Sequence, residues 1–190
     1  MIEAGGHSAR FPFRIGPGTM LTKILNGPVT AVSRAFALLG GVVLVVLMLL
    51  VIVSITGRAL IPLGLRPVPG DFELVAAGTA FAVFCFLPWC QLERGHVSVD
   101  ILAPLLGRRR DAALSIFHNL LMTAASAFIA WRLWAGMLDK MQYKETTYIL
   151  GLPVWWGYAL CVPLAAAFVL VSAFTVIRSA EEALMRRAGT

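Results

Sequence analysis

Between Arg34 and Arg58 the chain reads AFALLGGVVLVVLMLLVIVSITG, residues 35–57, without one charged side chain. A helix crosses the hydrocarbon core of a bilayer with about 20 apolar residues. Because lipid tails offer no hydrogen-bond partners, the backbone has to bond to itself there, as it does in a helix. The stretch therefore predicts a transmembrane helix, and it is too long to be the apolar part of a cleavable signal peptide.

Three further blocks without a charge follow the first, at residues 74–92, 112–131 and 146–177. The last block is longer than one span requires. Pro153 within it suits a helix that starts near Val154, because proline is tolerated in a first turn. The composition agrees with a membrane protein, since 59% of the residues are hydrophobic, 14% are charged and the mean hydropathy is +0.82.

These blocks predict an all-α membrane protein with four transmembrane helices, at about residues 35–57, 73–92, 112–134 and 154–177. The four helices form one domain of residues 29–190. Residues 1–28 are rich in Gly, Pro and basic side chains, and we predict that they form a flexible basic arm in front of this domain.

The orientation of the helices follows from the distribution of Lys and Arg. Eleven of these residues lie before the first charge-free block, between the second and third blocks, or after the fourth block, whereas five lie between the first and second or between the third and fourth blocks. Cytoplasmic segments of membrane proteins carry the excess of Lys and Arg. The sequence therefore predicts that both termini lie in the cytoplasm.

The connection between the second and third helices contains a segment, residues 97–106, that mixes apolar and polar side chains and is too short to span. We predict a short interfacial segment on the cytoplasmic leaflet, followed by Arg108, Arg109 and Arg110, which face anionic lipid headgroups. A solvated loop is the alternative for this segment.

Several classes of function find no support in the sequence. The net charge of +6 indicates the membrane surface rather than nucleic acid, because the basic residues stand at the ends of apolar blocks. No motif for nucleophilic catalysis, nucleotide binding or metal binding appears. Cys85, Cys90 and Cys161 lie inside apolar blocks, which favours free buried thiols over a disulfide or metal ligands. We therefore predict a protein that is not an enzyme and has no catalytic residue, metal or cofactor.

Charged side chains are absent from the middle of the predicted spans. Glu73, Glu93, Arg94 and Arg132 lie at their ends, where a long side chain reaches the headgroups at little cost. A proton or ion pathway normally places such a group near the membrane centre, where it costs roughly 2.5–3.5 kcal/mol. The pattern therefore favours an accessory or scaffold subunit over an independent transporter.

Aromatic residues cluster around the connection between the third and fourth helices. Trp131 and Trp134 end the third block, and the fourth helix begins with Pro153, Trp155, Trp156 and Tyr158. Aromatic belts at the membrane surface account for these residues as interface anchors. Docking of an external protein on residues 139–153 is the alternative, and both interpretations stay open at this point.

The order of several short motifs resembles a known family, the small membrane subunit (DctQ-type) of tripartite ATP-independent periplasmic (TRAP) transporters. The matching stretches are ITGRAL at residues 55–60, RPVP followed by DFEL at residues 66–74, ERGHVSVD at residues 93–100, and TTYILGLPVWWGY at residues 146–158. The resemblance covers roughly residues 35–177. Carried over residue by residue, it assigns a set of motif or assembly residues: Arg58, Glu73, Glu93, Arg94, His96 and Asp100.

The resemblance implies a specific set of partners. A small subunit of this kind pairs in the bacterial inner membrane with a large permease subunit that holds the moving transport domain. A periplasmic substrate-binding protein delivers the substrate, an organic acid, and an ion gradient, expected to be sodium, drives uptake. The small subunit widens the fixed scaffold, contacts membrane lipids and helps to form the docking surface.

Two other functions remain as alternatives. One is an integral membrane enzyme with a site at the cytoplasmic edge built from Glu93, His96 and Asp100. The other is an accessory subunit of a different tripartite transporter. An adjacent gene for the large permease would distinguish these hypotheses from one another.

Overall fold

The computed structural model describes residues 20–93 and 103–188, with side chains described over residues 26–93 and 116–181. Four long helices make up this part of the chain: α1 (Met20–Ala59), α2 (Asp71–Leu92), α3 (Ala103–Gln142) and α4 (Trp155–Ala188). A short 3₁₀ turn, Ile61–Leu63, lies between α1 and α2. No β-strand occurs among the described residues.

The prediction of an all-α protein with four membrane-spanning helices is confirmed. Each helix contains a segment long and apolar enough to cross a membrane: Asn26–Ala59, Asp71–Leu92, Ile116–Gln142 and Trp155–Glu181. The division into an arm of residues 1–28 and a domain of residues 29–190 stays a prediction, although α1 already begins at Met20. The orientation in the membrane also stays a prediction, and residues 94–102 of the connection between α2 and α3 lie outside the described residues.

The helices pack side by side in the order α1, α2, α4, α3. Extensive contacts join α1 to α2, α2 to α4, and α4 to α3 in the described part of the chain. The outer helices α1 and α3 are the least buried: 6% and 11% of the most apolar 18-residue stretch of their spans is buried inside the chain, against 17% for α2 and 44% for α4. The arrangement is therefore a row of helices with two free edges.

The contact between α1 and α2 follows a seven-residue repeat in both helices. The repeat positions are Ser33, Gly40, Leu47 and Ser54 in α1, and Asp71, Gly78, Cys85 and Leu92 in α2. Leu47 lies on Gly78, and a Cβ atom added to Gly40 would come within 2.9 Å of the Cβ atom of Cys85. Small residues allow membrane helices to approach closely, and a seven-residue spacing keeps one strip of each helix facing its neighbour.

The end of α2 that leads to residue 93 is joined to α4 by polar and apolar contacts. Leu92 packs with Val171 and Phe174 of α4. Beside them, the buried Gln91 amide donates a hydrogen bond to Thr175 Oγ1 at 3.0 Å. Hydrogen bonds between side chains are a main source of helix association in lipid, where the hydrophobic effect no longer favours contact between helices.

The same end of the row contains a second buried bond, which joins α3 to α4. The Asn119 amide donates to Ser179 Oγ at 2.6 Å. Both side chains are buried. Neighbouring helices are therefore connected by paired polar groups as well as by apolar packing.

Replacing Gly40 with leucine should lower the free energy of unfolding by about 1–3 kcal/mol, because overpacking forces the neighbouring atoms apart. The added atoms would meet Cys85 Cβ at 2.9 Å and the Ala82 carbonyl oxygen at 3.2 Å. Reversible denaturation of the purified protein in detergent measures the change. Gly41→Leu is the matched control, because nothing lies within 4 Å of a Cβ atom there. Equal losses in the two variants would contradict the close approach of α1 and α2.

Candidate functional site

The start of α2 carries two carboxylates, and the first of them binds the end of α1. Ser54 donates its hydroxyl to Asp71 Oδ2, and the Phe72 N–H donates to Asp71 Oδ1 at 2.7 Å. Arg58 Nη2 lies 3.9 Å from Asp71 Oδ2. An acidic residue in the first turn is also favoured by the helix dipole. Asp71 therefore holds the last turns of α1 against the first turn of α2.

The second carboxylate, Glu73, binds the loop between α3 and α4. Its Oε1 atom accepts the Ile149 N–H at 2.9 Å, and its Oε2 atom accepts the Leu150 N–H at 3.1 Å. Hydrogen bonds from backbone N–H groups to an ionised carboxylate are stronger than neutral ones. One side chain thus satisfies two loop amides that lie 76 and 77 residues further along the chain.

The α3–α4 loop, residues 143–154, is also closed by hydrogen bonds of its own. The Thr147 N–H donates to the Leu152 carbonyl at 2.9 Å, and the Leu152 N–H donates to Thr147 Oγ1 at 3.1 Å. The Val154 N–H donates to the Glu145 carbonyl at 3.0 Å. Lys140 Nζ lies 2.6 Å from Glu145 Oε2, which links the loop to the last turn of α3.

Gly70 makes the approach of this loop to α2 possible. Its backbone φ angle is +73°, a value that residues other than glycine rarely adopt. A Cβ atom at this position would also meet the Leu150 side chain within 2.4 Å. The loop side chain therefore occupies the space that any residue larger than glycine would fill.

The same end of the row exposes a group of large apolar side chains, which we call the end surface. It consists of Leu63, Leu65, Phe72, Tyr143, Tyr148 and Ile149. Tyr148 is fully exposed although it stands next to the two amides that Glu73 binds. Exposed apolar groups of this kind mark membrane or protein contacts. The end surface is thus formed by the α1–α2 connection, the start of α2 and the α3–α4 loop, and Glu73 fixes the loop backbone next to Tyr148.

The predicted docking or anchoring residues lie beside this surface. Pro153 pairs with Thr146 in an isolated bridge, and Trp155 and Trp156 pack edge to face with ring centroids 6.2 Å apart. Trp156 is exposed. The Tyr158 ring lies against Gly136 of α3, where a Cβ atom would come within 3.1 Å of Cε1. These residues are brought together at the start of α4.

The structure does not bring the predicted assembly residues into one cluster. Arg58 and Glu73 lie at the end of the row that carries the α3–α4 loop, whereas Glu93 is exposed directly after α2, at the opposite end. Arg94, His96 and Asp100 lie outside the described residues. The backbone of Arg108, Arg109 and Arg110 belongs to α3, but their side chains also lie outside the described part.

Ser54, Gly70, Thr147 and Leu150 are residues of this site that sequence reasoning did not select. Two of them carried a readable signal: Ser54 stands at a seven-residue spacing from Leu47 and Gly40, and Gly70 follows Pro69 in a dipeptide typical of turns. Glu73 binds Ile149 and Leu150 through their backbone amides, which side-chain type does not reveal. Within residues 26–93 and 116–181, no group of three or more His, Cys, Asp or Glu side chains could hold a metal ion.

Glu73→Gln should release the α3–α4 loop, because one of its two acceptor oxygens becomes an NH₂ group that faces a backbone N–H. We expect hydrogen exchange at the Ile149 and Leu150 amides to accelerate by about tenfold or more. Exchange measured by mass spectrometry on the purified protein tests this. Glu145→Gln is the control, since it removes only the contact with Lys140. Unchanged protection of both amides in Glu73→Gln would contradict the role of this carboxylate.

Comparison with known proteins identifies the family of the chain. The family model of tripartite ATP-independent periplasmic transporters, DctQ component, matches residues 47–182, which is more than half of the chain. No curated protein and no solved structure gave a match. The matched region contains α2, α3, the whole α4 span and the site described above. This is a family of transporter components and not of enzymes, and the chain belongs to it.

Proposed function

We propose that this chain is the stationary small subunit of a TRAP transporter in the bacterial inner membrane. In this role it supports a large permease subunit, a periplasmic binding protein delivers an organic acid, and a sodium gradient drives uptake. The family match favours this system over the other tripartite transporters that the sequence left open.

The observation that carries the proposal is the position of the acidic side chains along the four spans. Every Asp and Glu of these spans lies in a first or last turn, and none lies in the middle. Asp71 and Glu73 are occupied by Ser54 and by two loop amides. Carboxylates that bind the chain itself support a fixed structure rather than a path for a coupling ion.

The proposed orientation places the N-terminus and the C-terminus in the cytoplasm. The excess of Lys and Arg in the arm, the α2–α3 connection and the tail supports it. The end surface and the α3–α4 loop then face the periplasm. Arg108, Arg109 and Arg110 face the cytoplasmic leaflet, where anionic headgroups attract basic side chains.

We assign the end surface to contact with the binding protein. Its support is the combination of exposed apolar side chains with a fixed backbone, because a preorganised loop loses little conformational entropy when a partner binds. Pro153, Trp155, Trp156 and Tyr158 frame this surface as docking or anchoring residues. At the opposite end, Glu93, Arg94, His96 and Asp100 are assigned to assembly with the permease.

Affinity purification of the chain from native membranes in mild detergent tests the assembly. We expect one large permease subunit with many transmembrane helices to co-purify in stoichiometric amount, which mass spectrometry measures. Reconstituted vesicles should take up substrate in response to a sodium gradient only when this chain is present. A chain that purifies by itself as a homo-oligomer would contradict the proposal.

Replacing Tyr148 and Ile149 together with serine should weaken docking of the binding protein without loosening the complex in the membrane. Their side chains are exposed, and both residues contact Glu73 through their backbone, which the substitutions keep. We expect roughly tenfold more binding protein to be needed for half-maximal uptake, since exposed aromatic anchors often dominate an interface. The control is permease co-purification, which should stay unchanged. An unaltered requirement for binding protein would remove the end surface from the docking site.

A further inference from the structure

Arg132 is not at the end of its helix. The charge-free block of the third span ends at Trp131, so the sequence places Arg132 at the membrane surface. In the structure α3 continues without a break for ten more residues, to Gln142. The helix continues because a charged side chain does not interrupt its backbone hydrogen bonds.

The position of Arg132 along the row can be read from the contacts between α3 and α4. Gly136 lies against Tyr158, which is the fourth residue of α4. Arg132 stands one turn further from the loop than Gly136. With a rise of 1.5 Å per residue, its Cα atom lies about 10 Å deeper than the start of α4 at Trp155. This depth is alongside the apolar part of the α4 span.

At this depth the Arg132 side chain is exposed, and it makes no hydrogen bond or ion pair with any other described residue. It belongs to α3, one of the two edge helices, and its exposed neighbours are Trp131 and Trp134. A guanidinium group has five N–H donors and cannot lose its charge in a protein. Charged groups inside a membrane face a protein partner or water far more often than lipid.

The edge formed by α1 has a different chemistry. Its exposed residues between Arg34 and Arg58 are almost all aliphatic, and none is charged. Such a surface suits lipid tails. The two edges of the row are therefore not equivalent: the α1 edge offers only apolar contact, whereas the α3 edge offers a cation and two indole N–H groups.

We propose that the α3 edge is the surface that meets the large permease subunit, and that Arg132 pairs there with a carboxylate of a permease helix. This inference rests on the proposed function, which supplies the permease as partner. An acidic side chain is the partner of choice, because a guanidinium and a carboxylate form two parallel hydrogen bonds and neutralise each other away from water. The α1 edge faces lipid.

The first test replaces Arg132 with methionine, which has a similar length and no charge. The affinity-tagged chain is purified in mild detergent, and the amount of permease that comes with it is measured. Loss of one partner of a desolvated charge pair should lower the recovery by about tenfold or more, with Arg132→Lys in between. Arg66→Met, at an exposed arginine in the α1–α2 connection, should leave recovery unchanged.

A second pair of variants tests the surface without touching a charge. Leu121 on α3 and Leu49 on α1 are exposed to similar extents, 57% and 53%. Tryptophan at Leu121 should block permease binding, whereas tryptophan at Leu49 should be tolerated. Thermal unfolding of each purified variant shows whether the chain itself still folds.

The outcomes separate this inference from the proposed function. A wild-type chain that recovers no permease overturns both. If the wild type recovers the permease and Leu49→Trp blocks it while Leu121→Trp does not, the assignment of the edges is wrong. Full recovery of the permease with Arg132→Met overturns the proposed ion pair and favours a lipid headgroup as the partner of Arg132.

Discussion

The first turn of α2 carries two carboxylates on opposite sides of the helix, and three of the four helices are positioned by them. Asp71 and Glu73 are two residues apart, which turns their side chains by about 200° around the helix axis. Asp71 accepts the Ser54 hydroxyl of α1, whereas Glu73 accepts the amides of the loop that leads into α4. Because α2 lies between α1 and α4 in the row, this single turn fixes the ends of both neighbours at one level.

Packing inside a membrane explains why the remainder of the α1–α2 contact depends on small residues. Lipid tails are as apolar as leucine, so burial of apolar area adds little, and close contact with paired polar groups must hold the helices together. Gly40 and Gly78 provide that contact at a spacing that extends to Ser54 and Asp71. The seven-residue repeat and the Asp71 hydrogen bond therefore specify the same register, which excludes a slip of one helix along the other.

Part of this structure could be predicted from the sequence. The four spans follow from charge-free blocks, and Glu73 was selected from a motif. Its partners were not predictable, because they are backbone amides of Ile149 and Leu150 in a loop formed by residues of ordinary type. The order of helices in the row was not predictable either, since α1 is apolar on all sides and its hydrophobic pattern does not identify the neighbour. The continuation of α3 beyond Arg132 to Gln142 was not predictable, because a charge ends an apolar run without ending a helix.

The two ends of the row are held by different means, and together they make the row stiff. At the loop end, the partly exposed carboxylates of Asp71 and Glu73 bind the Ser54 hydroxyl of α1 and two amides of the α3–α4 loop. At the opposite end, buried neutral side chains join the helices: Gln91 of α2 binds Thr175 of α4, and Asn119 of α3 binds Ser179 of α4. Neutral pairs are suited to that place, because burying an ionised group in the apolar interior costs far more than burying an amide or a hydroxyl. Sliding of α4 along α2 would break hydrogen bonds at both ends of the row at once. Helices joined at one end only could still separate at the other end. The proposed role as a support for a mobile permease domain requires this resistance to shear, and the polar contacts at both ends of the row supply it.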